Sequence, residues 1–99
     1  MVKWTDSAKR ALKQIHDYIA LDSYHYAKTV AMDITNIAEL LDSQPYRGRM
    51  VPEIKRKSIR EVFAYSYRII YKVTKTETLI LLLLHQQQKL KPKLLFSKN

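Results

Sequence analysis

An arginine and a histidine set close together on an open sheet face can hold a phosphate and move a proton. Residues 58–85 place such groups in register. The stretch SIREVFAYSYRIIYKV (58–73) carries Arg60, Arg68 and Lys72, and TLILLLLH (78–85) ends in His85. An arginine fork binds phosphate through parallel bonds and keeps its charge. Imidazole exchanges protons near neutral pH. The corresponding chemistry is RNA cleavage, with Arg68 stabilising the scissile phosphate and His85 carrying the proton.

Register decides whether these groups meet. A two-residue turn at Tyr65–Ser66 sets Phe63 opposite Arg68, and a two-residue turn at Lys75–Thr76 sets Arg68 opposite Leu83. His85 then shares a face with Arg68 and Lys72. Arg60 falls on the apolar face in this register, and on the charged face if the first turn has three residues. Further cations stand nearby in EIKRKSIR (53–60): Lys55, Arg56 and Lys57. Glu53 is a candidate base, and Tyr46, Tyr65, Tyr67 and Tyr71 are candidates for stacking on bases. The same residues also read as a solvated loop, packed tyrosines and a solvated strand end. Binding of a target or antagonist is therefore the broader expectation for Lys55, Arg56, Lys57, Arg60, Tyr67 and Lys72. Catalysis is the narrower one, for Arg68 and His85.

The elements that must position these groups are legible in the hydrophobic pattern. Residues 5–21 and 24–42 repeat apolar residues at three and four, as amphipathic helices do. Thr5, Asp6 and Ser7 offer caps to the first, and Asp22 or Ser23 to the second. The join is short enough to require a helical hairpin. DSQPYRGRMVPE (42–53) holds the only Gly and two of the three Pro, and reads as a loop. Gly48 is expected to supply a positive φ or a close backbone approach. The period then changes to two. Strands are predicted at 58–65, 67–74 and 78–85, the last continuously apolar and so buried on both faces. VKW (2–4) is long enough for a short edge or companion strand. The expected fold is α+β: a helical hairpin packed on one face of an antiparallel sheet, in the order βααβββ. The other face is left for water or a partner. Residues 1–99 form one domain, with 86–99 a loose or separately packed tail.

Composition bounds the function. There are 18 Lys and Arg against 9 Asp and Glu, a net charge of +9. Residues 1–43 hold five cations against six anions, and residues 44–99 hold thirteen against three. A field concentrated in this way attracts phosphates, acidic protein surfaces or anionic membranes, and the first two are the expected partners. The near-neutral helices argue against a helix-turn-helix reader. With no cysteine, disulfides and cysteine-ligated zinc are excluded. His16 and His25 fall on separate helices, so no metal pair forms. Neither a Gly-rich phosphate loop nor a nucleophile elbow is present, and no cofactor is expected. The longest apolar run, 79–84, is far below the roughly 20 residues of a membrane helix. A soluble cytoplasmic domain follows.

GRMVPE, then IRE, then YRIIYKV, then an apolar strand ending in His, resembles the RelE/ParE superfamily of bacterial toxins, also called plasmid stabilisation proteins. WTDSAKRALKQIHDYIA is similar to that family's first helix. The resemblance spans nearly the whole chain and implies the βααβββ fold reached above. It implies the toxin of a type II toxin–antitoxin module, neutralised by a cognate antitoxin; the open face and the basic second half are expected to bind an acidic, partly disordered segment of it. Two activities occur in the family. RelE-like members cut mRNA on the ribosome without a metal, and ParE-like members inhibit DNA gyrase. Arg68 matches the arginine of the family's YR strand, and His85 resembles the C-terminal histidine of some of the nucleases. The chain departs from the nuclease pattern at SIREVF, where lysines are usual, and at HQQQ, where an arginine or terminal tyrosine often follows. The resemblance therefore favours the ParE-like branch, with the ribosome-dependent endonuclease as the alternative. Outside the family, the alternative is a non-toxic basic nucleic-acid-binding module.

Overall fold

A computed structural model describes residues 1–92 of the chain. Seven elements follow in order: β1 (Val2–Trp4), α1 (Asp6–Ala20), α2 (Tyr24–Leu40), β2 (Arg49–Met50), β3 (Ile59–Ala64), β4 (Tyr67–Val73) and β5 (Thr78–His85). The helices start where their caps stand. The Thr5 hydroxyl accepts from the Ala8 N–H at 3.1 Å, and the Ser23 hydroxyl accepts from the Tyr26 N–H at 3.1 Å. Each cap satisfies a donor that the first turn leaves without a partner.

The sheet order is β1-β5-β4-β3-β2. The α+β hairpin-on-sheet architecture is as expected, with two additions. β1 pairs with β5 in parallel, so the sheet is mixed. The expected loop 42–53 contains the two-residue edge strand β2, antiparallel to β3. The two-residue turn at Tyr65–Ser66 is present: Ala64 pairs with Tyr67 and Phe63 with Arg68. Tyr65 takes a left-handed φ of 56° to close it.

One expectation fails along β5. Val73, Lys72 and Tyr71 pair with Thr78, Leu79 and Ile80, in the predicted register. Ile70 then pairs with Leu82, so Leu81 is an extra residue and the register slips by one. The bulge has a use. The Thr5 hydroxyl donates to the Leu81 carbonyl at 2.9 Å, and the Thr5 N–H donates to the Ile80 carbonyl at 3.0 Å. The start of α1 is thereby tied to the strand it packs on.

Beyond the bulge each side chain lies on the face opposite to the one predicted. Arg68 is opposite Leu84, and His85 is opposite Tyr67. His85 and Arg68 therefore lie on opposite faces of the sheet, because side chains alternate along β4.

Both faces carry a core. On the helix side, Val30, Ile34, Ala38 and Leu41 pack with Ile69, Tyr71, Ile80 and Leu83. The second face was expected to be open. Instead Ile59, Ile70 and Leu84 are covered there by Val51 and Leu90, with Ile54 alongside. The segment after β2 and the segment after β5 thus fold back across the sheet. Residues 86–92 are accordingly packed through Leu90, and the expectation of a loose arm at 93–99 lies outside the described residues.

Candidate functional site

Three arrangements gather the residues that chemistry singled out, and the first is a buried ion cluster on the second sheet face. Arg68 projects from β4 and is 5% exposed. Its Nε donates to Glu61 Oε1 at 2.6 Å. Its Nη1 and Nη2 donate to the two Glu53 oxygens at 2.9 and 2.8 Å. Nη1 also donates to the Gln88 carbonyl at 3.1 Å. Four of the guanidinium's five N–H groups are used in this way. The Glu61 side chain is fully buried, and its other oxygen accepts from Arg49 Nε at 2.6 Å. Glu53 also accepts from the Leu90 N–H at 2.9 Å.

The electrostatics follow the geometry. The Arg68 fork, aided by the Leu90 N–H, holds the Glu53 carboxyl at about 2, well below the usual carboxylate range. The same bonds push the Arg68 pKa upward against the cost of its burial. A guanidinium neutralised by two carboxylates has no fork left for a phosphate. Arg68 thus joins β3, β4, the 51–57 segment and the 86–90 segment, and the expected open-face phosphate site is not assembled. Glu53 serves as its partner, and a carboxylate held at about 2 is too weak a base to take a proton near neutral pH.

The second arrangement is around Gly48. Its N–H donates to the Tyr71 hydroxyl at 2.9 Å, and its carbonyl accepts from Arg60 Nε at 2.7 Å. A Cβ at Gly48 would fall 2.7 Å from the Tyr71 hydroxyl and still closer to the Glu61 carbonyl. Close approach, with no positive φ, is what requires glycine here. Arg60 also donates to the Lys57 carbonyl at 3.1 Å and lies over the Tyr46 ring. It stands opposite Tyr71 on the helix side, as the two-residue turn requires, and braces the 46–48 loop. Tyr71 is fully buried, so it belongs to the core and offers nothing for stacking.

The third arrangement is a groove of about 670 Å³ between α1 and the β3–β4 hairpin. Ala11, Ile15, Ile19, Val30 and Leu83 line it with apolar surface, and Tyr18, Tyr26, Tyr65 and Tyr67 add their rings. Tyr18, Tyr26 and Tyr65 are exposed. His85 and Gln88 close one end, and the His85 ring meets Tyr67 edge-on at 6.0 Å between centroids. The Tyr65 hydroxyl donates to Asp33 on α2, and that bond pushes its pKa up to about 12. The hairpin tip is thereby fastened to the helix layer.

The predicted residues are therefore divided. His85 and Tyr67 line the groove on the helix side, and Arg68 is inside the ion cluster on the other. Lys55, Arg56, Lys57 and Lys72 are exposed, and Lys72 lies on the Arg68 face by alternation. Sequence reasoning missed Glu61 as a buried anion and Leu90 as a core residue. Glu61 alternates with Ile59 on β3, which was the available signal for its burial.

A family model described as "ParE toxin of type II toxin-antitoxin system, parDE" matches residues 2–90. Among solved structures, "Chromosomal ParDE TA system from P. aeruginosa" has a similar fold, with a TM-score of 0.71 at 23% identity over 85% of this chain and 92% of that one. No curated protein matches the chain.

Proposed function

The chain belongs to the ParE toxin family of type II toxin–antitoxin systems, and on that premise we propose that it arrests growth by inhibiting DNA gyrase and is neutralised by a cognate antitoxin. The observation that carries this reading is the separation of Arg68 from His85. A nuclease of the RelE-like kind needs its cation and its proton carrier on one phosphate. Here the cation is bound to Glu53 and Glu61, and the histidine stands on the opposite sheet face. Inhibition by binding requires no such pair.

The antitoxin segment is assigned to the tyrosine groove. An acidic, partly disordered segment gains its ordering energy by burying apolar side chains on docking. The groove offers an apolar floor with tyrosine anchors, which are favoured at interface centres. The net charge of +9 draws an acidic chain toward it.

Induced expression without an antitoxin, followed by labelling of DNA, RNA and protein synthesis, tests the reading. DNA damage signalling and filamentous cells are expected. An immediate stop in translation with cleaved mRNA would establish the endonuclease instead. Normal growth with soluble protein present would remove toxicity altogether.

A further inference from the structure

The sheet face away from the helices carries a lysine surface that lies outside the tyrosine groove. Lys72 projects from β4 on the Ile70 face. Lys55 and Lys57 follow the segment that lays Val51 and Ile54 on that face, and Lys89 and Lys91 flank Leu90, which is buried there. All five lysines are exposed, and among the described residues none of them has a carboxylate partner. The three anions of this face are already committed: Glu53 to Arg68, Glu61 to Arg68 and Arg49, and Glu77 to Lys3, whose partner Leu79 also faces Lys72. The charge of the five lysines is thus left uncompensated.

We propose that this surface binds the phosphate backbone of duplex DNA. Three observations favour that ligand. Protein interfaces deplete lysine and depend on apolar anchors in pockets. None of the five lysines lines the tyrosine groove or the four smaller cavities found with it. The large exposed apolar side chains fall within residues 1–50 and at Phe63 and Tyr65, with none in 51–61 or 66–92; Phe63, opposite Arg68, shares the lysine face, and the Arg49 guanidinium lies over its ring. Single-stranded nucleic acid is held by aromatic stacking platforms, and the exposed tyrosines lie on the helix layer, the 46–50 loop and the hairpin. A duplex asks only for point charges against a stiff, regularly spaced row of phosphates. Lysine ammoniums supply them without reading sequence. The protein then has two working surfaces, the tyrosine groove for protein and the lysine face for DNA. This inference is independent of the gyrase reading.

The test is fluorescence anisotropy of a short labelled DNA duplex of arbitrary sequence with the full chain, in the absence of gyrase, across a salt series. Five phosphate contacts give a slope of log K against log salt of roughly −4 to −5, or about a 500-fold loss between 50 and 200 mM salt. K55Q/K57Q/K72Q/K89Q/K91Q is expected to abolish the signal, and K9Q/K13Q/K28Q on the helices to keep it. Thermal melts confirm that both variants fold. A wild-type slope near zero would overturn the proposal without recourse to any variant. So would full binding by the five-lysine variant, or single-stranded RNA or polyglutamate binding more tightly than the duplex at the same salt. Because no gyrase is present, failure here leaves the proposed target untouched, and a failed gyrase assay leaves this surface untouched.

Discussion

Replacing Arg68 with alanine separates a structural clamp from a phosphate-binding residue. The side chain makes four hydrogen bonds to Glu61, Glu53 and the Gln88 carbonyl. Its removal leaves Glu61, fully buried, with Arg49 as its one ion-pair partner, and releases Glu53 from the sheet. Breaking a buried ion pair from one side costs about 3–5 kcal/mol, because a charge is left without compensation. A domain of this size holds about 5–15 kcal/mol in total. At about 4–8 °C per kcal/mol, the melting temperature is expected to fall by roughly 12–40 °C. The assay is thermal melting by circular dichroism, paired with growth arrest at matched soluble levels. The pH dependence gives a second check. Glu53 has a folded pKa of about 2 against an ordinary 4.5, so its contribution is present above pH 4.5 and is lost as pH falls toward 2. In the alanine variant that acid-sensitive portion should be absent. A melt within 2–3 °C of wild type together with lost toxicity would refute the clamp, and would return Arg68 to a role at a reacting phosphate.

Gly48→Ala forces a methyl group against the Glu61 carbonyl and the Tyr71 hydroxyl, and should cost about 1–3 kcal/mol in urea unfolding. His85→Gln should leave growth arrest nearly intact, since His85 sits in the groove apart from Arg68; loss of toxicity in a folded variant would contradict this. Spectrophotometric titration should show two tyrosines ionising late, Tyr65 near pH 12 and Tyr71, which burial also pushes above its ordinary value, and Tyr65→Phe should remove the first and keep the second. The raised pKa means that the Tyr65–Asp33 bond stabilises the fold fully below pH 10 and is lost as pH climbs through 12.

Both helices, their caps, the hairpin turn and all three long strands were legible in the sequence, because each carries its own period or punctuation. Thr5 and Ser23 sit where the apolar repeat begins. The β3–β4 register was legible because its turn has two residues. The β5 register was not. TLILLLLH is apolar on both faces, so sliding it by one residue exposes nothing and no pattern resists the slip. The bulge at Leu81 is set by a distant partner, the Thr5 hydroxyl, and it carries His85 to the other side. The cover over the second face was hidden for a related reason. Val51, Ile54 and Leu90 are single apolar residues in polar segments, and a lone hydrophobe has no period. The candidate site suffered most, because its two members were joined by the one register that the sequence leaves free.

Chain order gives the parallel β1–β5 pairing a consequence for how the protein is made. β5 is the last of the seven elements to be synthesised, yet it lies between β1 and β4. Ile80 and Leu83 belong to one core and Leu84 to the other, so neither closes without it. The helical hairpin is complete by residue 40 and forms from local contacts within microseconds. The ribosome then needs roughly 2–9 s to reach residue 85 at the usual elongation rates. Until β5 joins, no complete sheet covers the apolar side of α1 and α2. Proteolysis of ribosome-bound chains ending before and after β5, each extended by a linker that carries its last residue clear of the exit tunnel, reads this directly: protection of the hairpin should appear only with β5. A helical hairpin without its sheet is thus the state that β5 brings to an end.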